Sequence, residues 1–253
     1  MWHIKGSNFK EMAKNRILRE EGMSILKNYT FRNFFKERII QLHGVFEYAK
    51  NHPYTILSKE ACDSTVEFIK KECPRAVGVR SPRQLMDISL ASVSLLGPYL
   101  EFGVFKGESL RYIAKKNPNK AIHGFDSFEG LPESWAHNPR GAFTTHGKLP
   151  KVPGNVKIWK GYFEESLPGW CKSHPDPIAF LHVDCDLNSS TKTVLTELAS
   201  QIKPGTVILF DDYFNFPGWE EDGHAVFTEF LKEYEFAVEY IGYAFKELSV
   251  IVR

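Results

Sequence analysis

The sequence predicts an α/β protein with a doubly wound, mostly parallel sheet of seven strands, and two observations carry this prediction. From residue 82 onward, short and nearly continuous apolar segments alternate with amphipathic helical segments. This alternation is typical of parallel strands whose two faces are both covered by helices. Glycines and acidic residues follow several of the apolar segments directly, at the place where open α/β sheets bind ligands.

The predicted strands are apolar runs bounded by glycine, proline or charged residues. They cover residues 98–104, 120–126, 155–161, 177–184, 205–212, 237–245 and 247–253. Helices are predicted where apolar residues recur at helical spacing, over residues 107–117, 189–203 and 223–234. Together these elements define a domain over residues 81–253.

The first 80 residues are predicted to form a helical extension. Apolar residues recur at helical spacing over residues 31–50 and 58–73, and Ser58 is placed to cap the second of these helices. We expect the helices to pack on the main domain or on a second subunit, where they would act as a substrate lid or an oligomer contact.

Composition excludes several classes of protein. The chain has 253 residues and a formal net charge of +1, which gives no signature of nucleic-acid binding. It shows neither an apolar run of about 18 residues nor an apolar segment typical of a signal peptide near its start. Its four cysteines are widely spaced and form no Cys-x-x-Cys pair, so a disulfide framework or zinc site is poorly supported. We expect a soluble, cytoplasmic protein without a membrane partner.

The first strand ends in a glycine turn, in the segment LEFGVFKGES (residues 100–109). Gly103 and Gly107 would let a ligand approach the backbone closely. Their spacing differs from the dinucleotide fingerprint and from a P-loop. Asp126 ends the next strand, where it could accept hydrogen bonds from a ribose diol. A nucleoside without a pyrophosphate fits this pattern best.

Five segments resemble, in order, the signatures of the macrocin O-methyltransferase family of class I S-adenosylmethionine-dependent sugar methyltransferases. They read YLEFGVFKGESL, GFDSFEGLP, GYFEESLP, HVDCDLNSST and ILFDDY. The resemblance covers roughly residues 95–230. It implies a Rossmann-like fold, S-adenosyl-L-methionine as cofactor with S-adenosyl-L-homocysteine as product, a need for Mg²⁺, and a homo-oligomer. It also implies a sugar-containing small-molecule acceptor, as in natural product biosynthesis.

The resemblance further implies which residues bind the cofactor. They are Glu101, Gly103, Gly107 and Ser109 around the methionine moiety, Asp126 on the ribose, Ser127, Phe128 and Gly130 beside the nucleoside, Gly161, Tyr162 and Phe163 near the adenine, and Asp184.

Three aspartates follow two strands that would be neighbours in such a sheet. Asp184, Asp211 and Asp212 would therefore converge, and their charges would repel unless a cation compensates them. A donor set made only of oxygen suits a hard divalent ion, Mg²⁺ first. The metal-ligand pattern of the family matches the same three aspartates.

A sugar hydroxyl is a poor nucleophile near neutral pH, so the reaction needs a general base. The resemblance implies Asp186, two residues after the first metal ligand. His146 or His137 is the reserve candidate, because imidazole titrates near working pH. Asn188 stands where the family more often has an aromatic residue, which leaves the edge of the acceptor site open.

Two long polar or aromatic segments are predicted to border the site. Residues 133–155 have no strong periodicity, and a connection of this length is usually functional, so we expect a lid over cofactor and acceptor. Residues 213–223 would form the facing wall, with aromatic rings suited to stacking on a sugar.

Two other functions remain open. Asp184, Cys185 and Asp186 could form the Asp-x-Asp metal clamp of a nucleotide-sugar glycosyltransferase, although this leaves the glycine turn, Asp126 and the pair at residues 211–212 unexplained. Alternatively, the chain could be a methyltransferase-like scaffold without catalysis.

Overall fold

Eight strands form one sheet in the computed structural model, which describes Lys36, Arg38, Ile39, residues 49–135 and residues 138–253. The strands are β1 (Val77–Gly78), β2 (Tyr99–Phe102), β3 (Ile122–Asp126), β4 (Val156–Lys160), β5 (Phe180–Val183), β6 (Val207–Phe210), β7 (Val238–Tyr243) and β8 (Leu248–Val252). Their order across the sheet is β1-β7-β8-β6-β5-β2-β3-β4.

All pairs of neighbouring strands are parallel except the two that β8 makes with β6 and β7. The prediction of a doubly wound, mostly parallel sheet is therefore confirmed. The predicted count of seven strands is wrong by one, because β1 was missed. This strand has only two residues, which are too few to carry a hydrophobic pattern, and it exists through its pairing with β7.

Helices cover both faces of the sheet, as the doubly wound class requires. They are α1 (Pro53–Glu72), α2 (Pro82–Ala91), α3 (Glu108–Lys116), α4 (Phe163–Ser173), α5 (Asn188–Leu198) and α6 (Gly223–Glu233), with a short 3₁₀ helix at Trp219–Glu221.

Proline explains two differences from the predicted helices. α1 begins at Pro53 and not at Ser58, because a proline in the first turn lacks only an N–H group that would have no intrahelical partner. Ser58 therefore lies inside the helix. α4 was not predicted, since Pro168 inside it interrupts the sequence signal of a helix. The predicted helix over residues 31–50 lies almost entirely outside the described residues.

The central strand β2 pairs with β3 on one side and with β5 on the other. From β2 the chain continues outward through β3 to β4, whereas β5 and β6 extend the sheet in the opposite direction. The connections diverge between β2 and β5, which leaves a crevice at the carboxyl ends of these two strands. The fold thus places a ligand site beside Gly103 and Asp184.

Residues Leu57–Arg253 form one compact unit, so α1 from residue 57 onward packs with the sheet domain. The ring of Phe68 on α1 contacts the rings of Tyr213, Phe214 and Trp219. These three aromatic residues are at most 2% exposed. They belong to the core, and the prediction that they form a wall of the acceptor site is wrong.

Within the ranges that the structure describes, no helix has both the length and the apolar character needed to cross a membrane. The predicted division at residue 80, with a separate N-terminal extension, stays a prediction.

Candidate active site

A cavity of about 780 Å³ opens at the carboxyl ends of β2, β3, β5 and β6. This size lies in the range of small-molecule sites. The predicted site residues that line it are Gly103, Ser109, Asp126, Ser127, Gly130, Tyr162, Phe163, Asp184, Asp186, Asp211 and Asp212. Residues from five separate segments of the sequence therefore meet in one place.

The glycine turn after β2 brings this strand against β5. Gly103 has φ 93°, and a Cβ atom there would lie 1.6 Å from the carbonyl oxygen of Asp184. Only glycine fits this approach. The next two N–H groups, of Val104 and Phe105, donate to Asp126 Oδ2 at 2.9 and 2.7 Å. The turn is thus tied to the end of β3.

Asp126 accepts a third hydrogen bond at Oδ1, from the N–H of Phe128 at 2.6 Å. A carboxylate has about four acceptor positions, so three bonds leave one position for a ligand in the cavity. In the structure, Asp126 links the loop that follows β2 to the loop that follows β3. Its predicted bond to a ribose stays a prediction.

Backbone hydrogen bonds that continue the sheet place two of the aspartates side by side. The N–H of Asp184 donates to Phe102 at 2.8 Å, and the N–H of Asp211 donates to Val183 at 3.0 Å. Burial and the negative charge of Asp211 raise the pKa of Asp184 well above its ordinary value. Burial also raises the pKa of Asp211. Carboxylates crowded in this way are stabilised by a positive charge.

Asp186 occupies a sharp turn just beyond Asp184. Its φ of 61° lies in the left-handed region, which is uncommon for a residue with a side chain but is adopted by Asp more often than by most residues. The carboxylate reaches the cavity. Burial, followed by the charges of Asp212 and Asp211, raises its pKa to about 7.

Lys246 also lines the cavity, and sequence reasoning missed it. Its Nζ lies 3.0 Å from Asp212 Oδ1, and it faces the rings of Trp135 and Phe216 at 6.0 and 5.6 Å from their centroids. The lysine belongs to the connection between β7 and β8. The pairing of β8 with β6 brings this connection close to the aspartates. A local sequence pattern therefore does not indicate that Lys246 lies in the site.

A buried pair of ionisable residues lies next to the aspartates, and sequence reasoning missed its histidine. Glu101 on β2 and His182 on β5 are register partners, and His182 Nδ1 lies 3.1 Å from Glu101 Oε2. The other oxygen of Glu101 accepts a hydrogen bond from Ser109 Oγ at 3.0 Å. Burial lowers the pKa of His182, but the hydrogen bond and charge of Glu101 outweigh this and raise it. The sequence signal was the alternation in "HVD", which puts residues 182 and 184 on one face.

Five of the predicted site residues do not line the cavity. Glu101 is fully buried beneath it, and Phe128 is a core residue. Gly107, at φ 74°, serves to start α3. Gly161 follows β4 and precedes Tyr162, which does line the cavity, and His146 lies exposed in a loop. His137 lies outside the described residues.

The segment predicted as a lid contributes Trp135, Asn138 and Phe143 to the cavity lining. It is attached to the loop after β3, because the N–H of Gly141 donates to Leu131 and the N–H of Gly147 donates to Phe128. The segment therefore borders the cavity, and its role as a lid stays a prediction.

The sheet order, the single antiparallel strand and the cavity at the carboxyl ends define a class I methyltransferase fold. Residues 100–213, from β2 to just beyond β6, match a family model described as "Methyltransferase domain". The predicted fold class is confirmed, and the matched segment contains every predicted site residue.

A curated relative from Streptomyces olivaceus is described as 8-demethyl-8-(2,3-dimethoxy-alpha-L-rhamnosyl)-tetracenomycin-C 4'-O-methyltransferase. It is 28% identical over 144 residues, which cover 46% of this chain and 53% of the relative. The chain thus spans about half the length of that protein. The predicted resemblance to sugar O-methyltransferases is confirmed by this match.

Two solved structures share the fold. The calicheamicin methyltransferase CalS11 is 18% identical with a TM-score of 0.56, and the match covers 79% of this chain and 93% of CalS11. The O-methyltransferase NovP is 22% identical with a TM-score of 0.52, and the match covers 67% of this chain and 79% of NovP.

Proposed function

We propose that this protein is an S-adenosylmethionine-dependent O-methyltransferase that acts on a sugar hydroxyl of a glycosylated metabolite. One observation carries the proposal. The cavity that contains the glycine turn at Gly103 is also lined by the four aspartates at residues 184, 186, 211 and 212. A turn suited to binding the cofactor thus lies next to carboxylates suited to binding and activating the acceptor. The name of the Streptomyces olivaceus relative, which specifies a rhamnosyl group, supports a sugar as the acceptor.

The cavity fits the cofactor in size and in lining. The close approach of the Gly103 backbone, the hydroxyl of Ser109 and the remaining acceptor position of Asp126 would hold its polar groups, and Tyr162 and Phe163 offer rings for its base. S-adenosylmethionine, when bound, supplies a methyl group on a sulfonium, which is a good leaving group. The chain therefore has to activate only the acceptor.

The donor set also fits a divalent cation. Asp184, Asp211 and Asp212 provide carboxylates that are crowded and partly buried, which suits Mg²⁺. Mg²⁺, when bound, would orient and acidify the hydroxyls of a vicinal diol. The negative charge of Asp212 is already compensated by the ammonium group of Lys246, 3.0 Å away. Asp212 would therefore exchange this ammonium group for Mg²⁺ when the metal binds.

Asp186 would then accept the proton of the reacting hydroxyl at its cavity-facing carboxylate. General base catalysis of this kind contributes about 100- to 10,000-fold. The lid segment would exclude water, and Trp135 beside Lys246 would contact the sugar. The fixed position of the acceptor relative to the cofactor would contribute at least as much through orientation.

Calorimetry separates this proposal from its two alternatives. We expect S-adenosylhomocysteine to bind and a nucleoside diphosphate sugar not to bind; the reverse result would favour a glycosyltransferase. A screen of acceptors with labelled S-adenosylmethionine then tests methyl transfer. Cofactor binding without transfer to any acceptor would favour the scaffold.

Alanine at both Asp211 and Asp212 tests the metal. We expect this double variant to lose Mg²⁺-dependent turnover while its affinity for S-adenosylhomocysteine changes little. Unchanged turnover would refute the assignment of the metal ligands.

The proposed assembly comes from the resemblance, and the proposed location and absence of other partners come from the composition. We propose a cytoplasmic homo-oligomer, with residues 1–80 as a lid or oligomer contact and with no nucleic-acid or membrane partner. Light scattering of the full chain measures the oligomeric state, and a monomer at working concentration would contradict this part.

A further inference from the structure

A histidine stands beside the aspartates at the point where a cation is proposed to bind. His182 and Asp184 alternate along β5 and its extension, so both side chains lie on the face of the sheet that α2 and α3 cover. One ligand atom from each of His182, Asp184 and Asp211 lies within 4.8 Å of the other two. This is the only such group of potential metal ligands among the described residues.

The ring of His182 is oriented as the ring of a metal ligand usually is. Nδ1 is engaged by Glu101 at 3.1 Å, and Glu101 is itself held by Ser109. In protein metal sites, a ligating histidine almost always donates its second ring N–H to a carboxylate or another acceptor. Glu101 would thus fix the tautomer that leaves Nε2 with its lone pair.

Nε2 has no hydrogen-bond partner among the described residues. His182 is only 2% exposed, and it lines a second cavity of about 230 Å³ together with Asp184 and Asp211. A cation in this cavity would therefore lie next to the ring of His182.

The neighbouring Asp212 has a different environment. Its carboxylate is paired with Lys246 at 3.0 Å, whereas Asp184 and Asp211 have no Lys or Arg ion pair within the described ranges. Asp212 can join the cation site only when Lys246 leaves it, whereas Asp184 and Asp211 have no such ion pair to break.

We propose that His182 is a ligand of the divalent-cation site, together with Asp184 and Asp211, and that Glu101 orients its ring. The inference rests on the proposed cation-assisted function and names a ligand that an all-aspartate site lacks. Mg²⁺ prefers oxygen donors, and an imidazole nitrogen favours first-row transition metals. The site therefore binds Mn²⁺ more tightly than Mg²⁺.

Pulsed electron paramagnetic resonance of the full chain with one equivalent of Mn²⁺ tests the ligand directly. We expect a ¹⁴N coupling from a directly bound imidazole, which changes to the ¹⁵N pattern when the protein is labelled with [¹⁵N]histidine. Because labelling leaves the protein unaltered, this measurement does not depend on the folding of a variant. Bound Mn²⁺ without nitrogen coupling, or no binding of Mn²⁺, would overturn the inference.

Variants then assign the coupling to one residue. His182→Gln should abolish it and weaken Mn²⁺ binding about tenfold or more, and Glu101→Gln should weaken binding by about 10- to 100-fold. His174→Gln is the matched control, because His174 contacts Trp170 on the other face of the sheet. A coupling that survives His182→Gln would overturn the inference.

Affinity for S-adenosylhomocysteine and methyl transfer, measured on the same samples, report separately on the proposed function. Transfer with Mn²⁺ bound through oxygen alone would leave the proposed function intact and remove His182 as a ligand. Loss of cofactor binding by the wild-type chain would instead contradict the proposed function.

Discussion

Mild acid should destabilise this protein through His123, which is buried on the face of the sheet opposite the aspartates. Its Nδ1 accepts hydrogen bonds from Trp159 Nε1 at 3.0 Å and from Trp170 Nε1 at 3.2 Å. A protonated Nδ1 cannot accept either bond. Burial, then the nearby His174 and Lys157, lowers the pKa of His123 from 6.5 to about 4.

The sign of the effect follows from this lowered pKa. Between about pH 4 and pH 6.5 the unfolded chain binds a proton at His123 and the native chain does not, so stability is complete above pH 6.5 and is lost as the pH falls. At about 1.4 kcal/mol per pH unit, the full loss is roughly 3 kcal/mol, and the loss between pH 7.5 and pH 5 is about 2 kcal/mol.

His123→Asn removes this titration, and its Oδ1 still offers an acceptor to the two tryptophan N–H groups. We would measure the free energy of unfolding with urea at pH 7.5 and pH 5 for both proteins. The wild type should lose about 2 kcal/mol more than the variant over this interval. Buried carboxylates titrate in both proteins and cancel in the comparison. An equal loss in the two proteins would refute the reasoning.

Four further substitutions test the site and the core. Gly103→Ala should prevent folding or cofactor binding, because its Cβ would lie 1.6 Å from a carbonyl oxygen. Gly141→Ala is the control, because Gly141 has a similar φ but open space around it. This control should lower the free energy of unfolding by only about 1–2 kcal/mol, measured by heat or urea. Equal effects would contradict the steric argument. Asp186→Asn should lower kcat by about 100- to 10,000-fold while calorimetry shows unchanged S-adenosylhomocysteine affinity; a retained rate at every pH would exclude it as the base. Leu110→Ala should cost about 2–5 kcal/mol in urea unfolding, because this α3 residue is fully buried, and a loss below 1 kcal/mol would show that the core collapses around it.

Most of the sheet could be predicted because its strands are local apolar runs. All seven predicted strands are present, and their carboxyl ends carry the polar residues that the sequence singled out. α2 (Pro82–Ala91) was missed although Ser81 caps it and Pro82 begins it, whereas the other two missed elements have weak local signals. β1 has two residues, and α4 contains Pro168, so both depend on the contacts they make in the folded chain.

The sequence by itself determined the class of fold, the glycine turn at Gly103 and the convergence of Asp184, Asp211 and Asp212. These features follow from apolar periodicity, and the carboxyl ends of parallel strands lie at one edge of a sheet. Only the tertiary structure decided what surrounds the aspartates. Strand register places Glu101 beside His182, and the antiparallel return of β8 brings Lys246 to the cavity. Contacts between residues distant in sequence depend on strand order and register, which no local pattern encodes.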